Sequence, residues 1–386
     1  MNTGGAADDE RAELGALVEL CSLPHMGPAR LRAALSGRDA LGAIAELRTG
    51  GAAVLNALRA CRGVDEPLIA TWRRQAASAF DQSAISGHPV GAGLLDAHAR
   101  AGIWLLVPTR SDAAEAWKTD PEPPALLFGQ GAAIDLAVRR VGVVGTRRCT
   151  AYGRTVARQL GAGLAAAGVA VVSGLATGID GIAQRAALDQ GGPVIGVVGS
   201  GLDQVYPAAN RTLWGDVAQH GTLLSEYPLG RRAAPWQFPA RNRIVAALCE
   251  VLVVVESGPK GGSMYTVDAA AERDRPVMAV PGTIISAASA GTNRLLAEGC
   301  APVCDVDDIL TALGEPAGAP AVAAQPALPS HALDRRVLDE LTGGPRSVDE
   351  LALRVEATLG ELSSSLGRLQ LSGWVVETGG WWEKAR

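Results

Sequence analysis

Four stretches of this chain read as strands buried on both faces, and each runs directly into a glycine-rich turn followed by a helical or loop pattern. Val141–Val144 leads into GTRRCTAYG, Val169–Val172 into SGLATGIDGIAQRAAL, Pro193–Val198 into GSGLDQVYP, and Val251–Val255 into ESGPKGGSMYTVDAA. Continuous apolar strands that alternate with helices specify a mostly parallel sheet covered on both sides. In such a sheet these turns follow the carboxyl ends of the strands, so they should line one rim, the place where open α/β sheets bind ligands. The turn after Val144 opens a helix, whose first free N–H groups suit a phosphate.

At 386 residues with 48% hydrophobic side chains the chain exceeds one typical domain and can bury a sizeable core. Its six cysteines form no CxxC pair and its five histidines do not cluster beside them, so reduced, mostly buried thiols are expected and no metal site. There is no long uncharged apolar run, and MNTGGAADDERAE is acidic where a secretory leader would be basic; a cytoplasmic protein without a membrane segment is expected. The net charge of −5 argues against a nucleic-acid partner, but its distribution argues the other way. From Arg139 to Arg243 twelve arginines face five acidic residues, whereas Met1 to Asp81 carries nine against ten.

Composition shifts suggest four segments. Residues 1–81 read as a helical domain, with Leu14, Leu17 and Val18 on one face, further helices over 41–60 and 65–80, and a helix-hairpin-helix-like unit at Leu23–Leu35 turning at Met26-Gly27-Pro28. Residues 82–313 form the α/β domain, with a helix over Val90–Ala99, a short strand over Ile103–Val107, and Pro121–Gly129 as a loop leading into the sheet. Residues 314–330 are a Pro/Ala-rich linker. Residues 331–386 read as a winged helix: Leu333, Val337 and Leu341 share a helix face, Ser347 with Glu350 and Thr358 with Glu361 form capping boxes, and WVVETGGWW turns at Gly379-Gly380. Arg368 and Glu361 share the presumptive recognition helix, a poor groove reader. Trp381 and Trp382 either pack the wing or form a docking surface.

The ligand was narrowed by elimination. A dinucleotide fold needs GxGxxG and an acid at the end of the second strand; here Gly142 and Gly145 precede Thr146-Arg147-Arg148, and the second strand ends in Ser173. In GPKGGS the order of Lys260 and the paired glycines does not make a Walker lysine. What remains is a Rossmann-like, doubly wound sheet with cationic and hydrogen-bonding turns. Arg147, Arg241 and Arg243 offer charged forks, Asn242 and Ser173 offer hydrogen bonds, and Phe238 offers a stacking ring. That inventory suits single-stranded nucleic acid held mainly by its backbone.

The blocks GTRRCTAYG, SGLATGIDGIAQRAAL, GSGLDQVYP, SEYPLG, FPARNRIVAAL, GGSMYTVDAA, AVPG and GTNRLLAEG occur in the order found in the DNA-processing protein A family, also called Smf, which this chain resembles over about residues 85–310. The resemblance implies a protein that binds single-stranded DNA during natural transformation, protects incoming strands, loads the RecA recombinase onto them and dimerises through its Rossmann-like domain, with no cofactor and no catalytic residues. It implies that Arg147 is the pocket arginine of the first turn, that Arg241 and Arg243 are the arginines of the FPxRNR block, and that Phe238 is its base-proximal aromatic. Gly145, Thr146, Gly174, Gly178, Asp180, Gly199, Gly201, Gly261, Gly262 and Ser263 would shape the pocket.

The chain departs from the family's ARGIDxxAH block at Thr177, which replaces an arginine, and at Gln184, which replaces a histidine. Arg185 or Lys260 is a candidate to replace the missing charge, and Gln184 hydrogen-bonds without titrating. Other readings stay open. The glycines serve equally as tight strand-helix crossings, Asp180 as a turn brace, and Tyr152 and Tyr206 as covers for the sheet edge. A nucleotide-binding hydrolase related to nucleoside-monophosphate phosphoribohydrolases would use Asp268 or Glu272 at a spacing that differs from PGGxGTxxE. A scaffold without DNA binding would have its arginines paired with acids.

Overall fold

The protein is described by a computed structural model at residues 3–86, 91–110, 117, 120–314, 329, 331–371 and 374–384. It divides into two compact units, Met1–Ala319 and Pro320–Arg386. Among the described residues no helix is long and apolar enough to cross a membrane.

The first unit opens with six helices, α1 (Thr3–Ser22), α2 (Pro28–Leu35), α3 (Ala40–Thr49), α4 (Ala52–Arg59), α5 (Glu66–Ser86) and α6 (Ala92–Arg100). Leu17 and Val18 are buried, with Leu14 packed against them. The segment 41–60 becomes two helices because Gly50 takes a left-handed φ of 83° and caps α3. Pro28 opens α2 behind Gly27, as the hairpin pattern implies. That hairpin is a packing element: a Cβ on Gly27 would lie 3.1 Å from the Trp236 ring, and Arg231 donates to the carbonyls of Cys21 and Leu23 at 3.3 and 2.9 Å.

Nine strands follow in the same unit: β1 (Ile103–Leu106), β2 (Leu127–Gly131), β3 (Arg140–Val144), β4 (Ala170–Ser173), β5 (Val194–Val198), β6 (Thr222–Ser225), β7 (Val251–Val254), β8 (Val277–Ala279) and β9 (Ala301–Pro302). They form one sheet in the order β1-β2-β6-β5-β4-β3-β7-β8-β9. β1 and β2 form an antiparallel edge on β6, and the other neighbours are parallel. The end of the expected loop 121–129 is therefore strand, because Phe128 pairs with Ser225 and extends the sheet. The covering helices are α7 (Ala151–Ala166), α8 (Ile179–Asp189), α9 (Arg211–His220), α10 (Gln237–Leu248), α11 (Met264–Ala271), α12 (Ala290–Ala297) and α13 (Val306–Ala312).

Both faces of the sheet are dry. Val141, Val143, Val171, Val251 and Val253 belong to one core, and their neighbours Val144, Val172, Leu252 and Val254 to a second. Alternate residues of each strand face opposite layers, which is why the strands read as unbroken apolar runs. From β3 the chain steps to β4 on one side, and after β6 it crosses through α10 to β7 on the other. The reversal opens a crevice beyond the carboxyl ends of β3 and β7.

The second unit is a winged helix of α14 (Ala332–Leu341), β10 (Arg346–Ser347), α15 (Val348–Arg354), α16 (Leu359–Leu371), β11 (Val375–Thr378) and β12 (Trp381–Lys384). Ser347 and Glu350 cap reciprocally, as do Thr358 and Glu361. Gly379 and Gly380 turn the hairpin at φ 61° and 88°. Trp382 packs against the core while Trp381 is half exposed. On α16, Arg368 is held by buried Asp334 at 2.6 Å, so that helix presents little free charge to a DNA groove. The expected linker, residues 314–330, lies outside the described residues except for Gly314 and Pro329.

Candidate functional site

The switch-point crevice is an open cleft of about 550 Å³. Its walls are the turn after β3 with Gly145, Thr146, Arg147 and Arg148, the turn after β4 with Gly174, Ala176 and Asp180, the start of α10 with Phe238, Arg241 and Asn242, and Gly261-Gly262-Ser263 before α11. Four glycine-rich segments far apart in sequence thus converge because parallel strands end on one side.

Two of the sequence-selected side chains define the outer rim. Arg147 is exposed, and its guanidinium carbon lies 5.1 Å from the centroid of the Phe238 ring. Phe238 in turn meets Tyr206 at 5.2 Å between centroids, with Tyr206 44% exposed. This cation-aromatic row continues into a side recess of about 90 Å³ lined by Gly174, Thr177, Pro207 and Arg241.

Arg241 forms the floor instead of the rim. It is buried, donates to the carbonyl of Val197, and leaves its Nε without a partner. Burial pulls its pKa down to about 10, with Asp180 opposing that and Arg147 adding to it, so it remains charged at neutral pH. Gly174 is required here, since a Cβ would sit 2.5 Å from the Arg241 guanidinium nitrogens. Asp180 accepts from the N–H of Gly174 at 3.1 Å; its pKa is raised by burial, opposed by Arg241. Gly178, with φ 83°, lets the second turn pass against Thr146 and Arg147.

Three expectations are corrected. Arg243 does not reach the cleft: it is buried against Glu226 at 2.6 Å and Glu122 at 3.6 Å, and it lines a neighbouring groove with Arg32 and Trp236. One residue beyond Asn242 on a helix is about 100° around the axis, which turns Arg243 away. Ser173 is fully buried and spends its hydroxyl on the carbonyl of Val143 at 2.5 Å. The first turn of α7 does not offer its N–H groups to a ligand. Glu256, directly after β7, accepts from the N–H of Thr150 at 2.9 Å and from its hydroxyl at 2.5 Å.

The remaining positions are mixed. Asn242 donates to the carbonyl of Gly262 at 3.3 Å, and Ser263 donates to Ser257 at 2.8 Å; both brace the floor between α10 and α11. Gly199 lies behind Phe238, Gly201 packs on the carbonyl of Pro228, and neither lines the cleft. Lys260 is exposed on the loop before Gly261 but outside the lining. Arg185 is engaged by Asp216 at 2.5 Å and Asp189 at 3.6 Å, which removes it as a replacement for the charge missing at Thr177. Gln184 is buried, accepting from the N–H of Leu175 at 3.1 Å and donating to Ile195 at 3.0 Å, a bracket between α8 and β5. Asp268 and Glu272 line the neighbouring groove, not the cleft.

Sequence reasoning overlooked Glu256 and Tyr265. Glu256 carried a signal, an acid directly ending the apolar run VLVVV. Tyr265, 57% exposed and lining both the cleft and the groove, carried none beyond its aromatic type. No group of three or more potential metal ligands occurs among the described residues.

The family model described as DNA recombination-mediator protein A matches residues 105–314, and that of the DprA winged helix domain matches residues 319–380. A putative DNA processing protein DprA of Mycobacterium tuberculosis (strain ATCC 25618 / H37Rv) is 37% identical over 322 residues, 82% of this chain and 75% of that protein. The X-ray structure of DNA processing protein A from Streptococcus pneumoniae aligns with a TM-score of 0.60 at 28% identity, over 78% of this chain and 97% of that one. DNA processing protein A from Helicobacter pylori, solved with insights into its unique single-stranded DNA binding mode, aligns with a TM-score of 0.50 at 31% identity, over 55% of this chain and 95% of that one.

Proposed function

The chain belongs to the DNA recombination-mediator protein A family, and on that footing we propose that its switch-point cleft binds single-stranded DNA in a non-catalytic role during DNA processing. The observation that carries the reading is the row Arg147, Phe238 and Tyr206 above the buried cation Arg241. A base stacks on Phe238 or Tyr206 without regard to its identity, while a flanking phosphate meets Arg147. Arg241 supplies positive potential from below, strengthened by its dry surroundings, without having to leave its carbonyl partner. Arg243, Ser173 and the start of α7 are left out of this track, and Thr177 contributes a neutral wall.

The finer roles rest on family membership: protection of incoming strands in natural transformation, loading of the RecA recombinase, and a homodimer through the Rossmann-like domain. A dimer would join two clefts into a longer track and raise affinity through effective concentration.

The test is fluorescence anisotropy with a single-stranded 30-mer and its duplex across a salt series, on wild type, Arg147→Ala and Phe238→Ala. The single strand is expected to bind more tightly than the duplex. Arg147→Ala should lower the salt slope by about 1, and Phe238→Ala should weaken binding about tenfold. Salt-independent binding, or folded variants that bind like wild type, would move the site elsewhere.

A further inference from the structure

We propose that Glu256 is a built-in substitute for a phosphate, closing the anion site at the start of α7 and thereby setting what the cleft can accept. This inference does not rest on the single-strand reading; it concerns what the fold excludes.

In a Rossmann-like sheet the helix after the first strand presents free N–H groups and the positive end of its dipole toward the crevice. Here that place is filled from within the chain. Glu256 is 1% exposed, and its carboxylate takes both the N–H and the hydroxyl of Thr150, the residue capping α7. The Thr150 oxygen also accepts from the N–H of Gly153 at 3.1 Å, so carboxylate, hydroxyl and first helical turn form one closed relay. Gly153 exists for this contact: a Cβ there would stand 2.2 Å from Glu256 Oε2. The backbone is fitted to the same residue, with the N–H of Thr146 donating to the carbonyl of Glu256 at 2.7 Å and Gly145 packed against that carbonyl.

An anion already seated at the helix start both occupies the space and neutralises the dipole end. The phosphate of a free mononucleotide, or the pyrophosphate of a dinucleotide, loses the seat it uses in other folds of this type. Anions can then be held only further out, at the Arg147 rim. Three of the residues that make GTRRCTAYG resemble a phosphate turn, Gly145, Thr150 and Gly153, are thus spent on an internal carboxylate.

The probe is inorganic phosphate, compared with chloride at equal ionic strength, read by thermal unfolding and by calorimetric titration of the full chain. Wild type is expected to show no phosphate-specific shift. Glu256→Ala vacates the seat and should bind phosphate saturably, gaining about 3 °C in Tm at tenfold its Kd. Glu256→Gln keeps the volume and a hydrogen-bond acceptor, and should gain no phosphate binding; this separates occupancy from charge. The proposal fails if folded Glu256→Ala responds to phosphate no more than to chloride, or if wild type shows the same saturable shift. If Glu256→Ala folds only when phosphate is present, the seat is confirmed. If it stays unfolded with and without phosphate, anion occupancy is not what Glu256 provides, and the proposal also fails.

Discussion

Arg241 and Arg243 sit two positions apart in one block of sequence and have opposite fates. Arg241 floors the cleft, while Arg243 is spent on Glu226. Glu226 is buried and its pKa is raised by that burial, with Arg243 opposing the shift, so Arg243→Ala would strand a carboxylate in a dry site. Loss of about 3–5 kcal/mol is expected, read by urea unfolding, with single-strand affinity of the folded fraction within about twofold of wild type. Normal stability with a tenfold loss of affinity would return Arg243 to the DNA track. A second buried acid, Glu19, has neither carboxylate oxygen paired among the described residues, and burial raises its pKa to about 7. The unfolded chain releases this proton near 4.5 and the folded chain near 7, so the native state holds more protons between those values. Stability therefore falls as pH rises through that window, by about 2–3 kcal/mol, and Glu19→Gln should flatten the fall in a series of melts from pH 5 to 8. The candidate cations of the cleft were legible at this scale, because arginine beside a ring or a glycine turn has few uses. Whether a given arginine is free was not, since its partner Glu226 lies on another strand end.

Strand-glycine-helix grammar places the turns, but helix packing decides how close they come. α7 and α8 cross at Gly161, where a Cβ would stand 2.2 Å from the carbonyl of Ala183. The clash is with backbone, so it cannot be relieved by a rotamer. Gly161→Ala should force the two helices apart, cost about 2 kcal/mol and lower Tm by about 5 °C in a calorimetric scan. Because α8 begins at the cleft wall, single-strand affinity should fall with it; an unchanged Tm would show that the helices are more loosely docked. Most elements announced themselves: the capping boxes of α15 and α16 are local hydrogen-bond patterns written within four residues. The strand β2 did not, because LLFG is extended only through its pairing with β6. The helix start of α7 misled in the same way: its cap is local, but the anion that fills it comes from residue 256.

The cleft, its aromatic row and the buried arginine all belong to Met1–Ala319, and no residue of Pro320–Arg386 lines it. A chain ending at Ala319 should therefore bind a single-stranded 30-mer within about threefold of the full protein, with the same salt slope, in anisotropy titrations. A larger loss would assign the winged helix a share of binding that Arg368, held by Asp334, does not advertise. The sequence by itself determined the doubly wound parallel sheet, the rim on which its turns gather, the winged-helix tail and the family, because these follow from periodicity, turn chemistry and the order of short blocks along one chain. Tertiary structure alone decided which charges are available. Arg147 stays free at the rim, Arg243 is bound to Glu226, and Glu256 takes the helix start. Burial and pairing are properties of residues brought together from distant positions, and no local pattern records which acid will meet which donor.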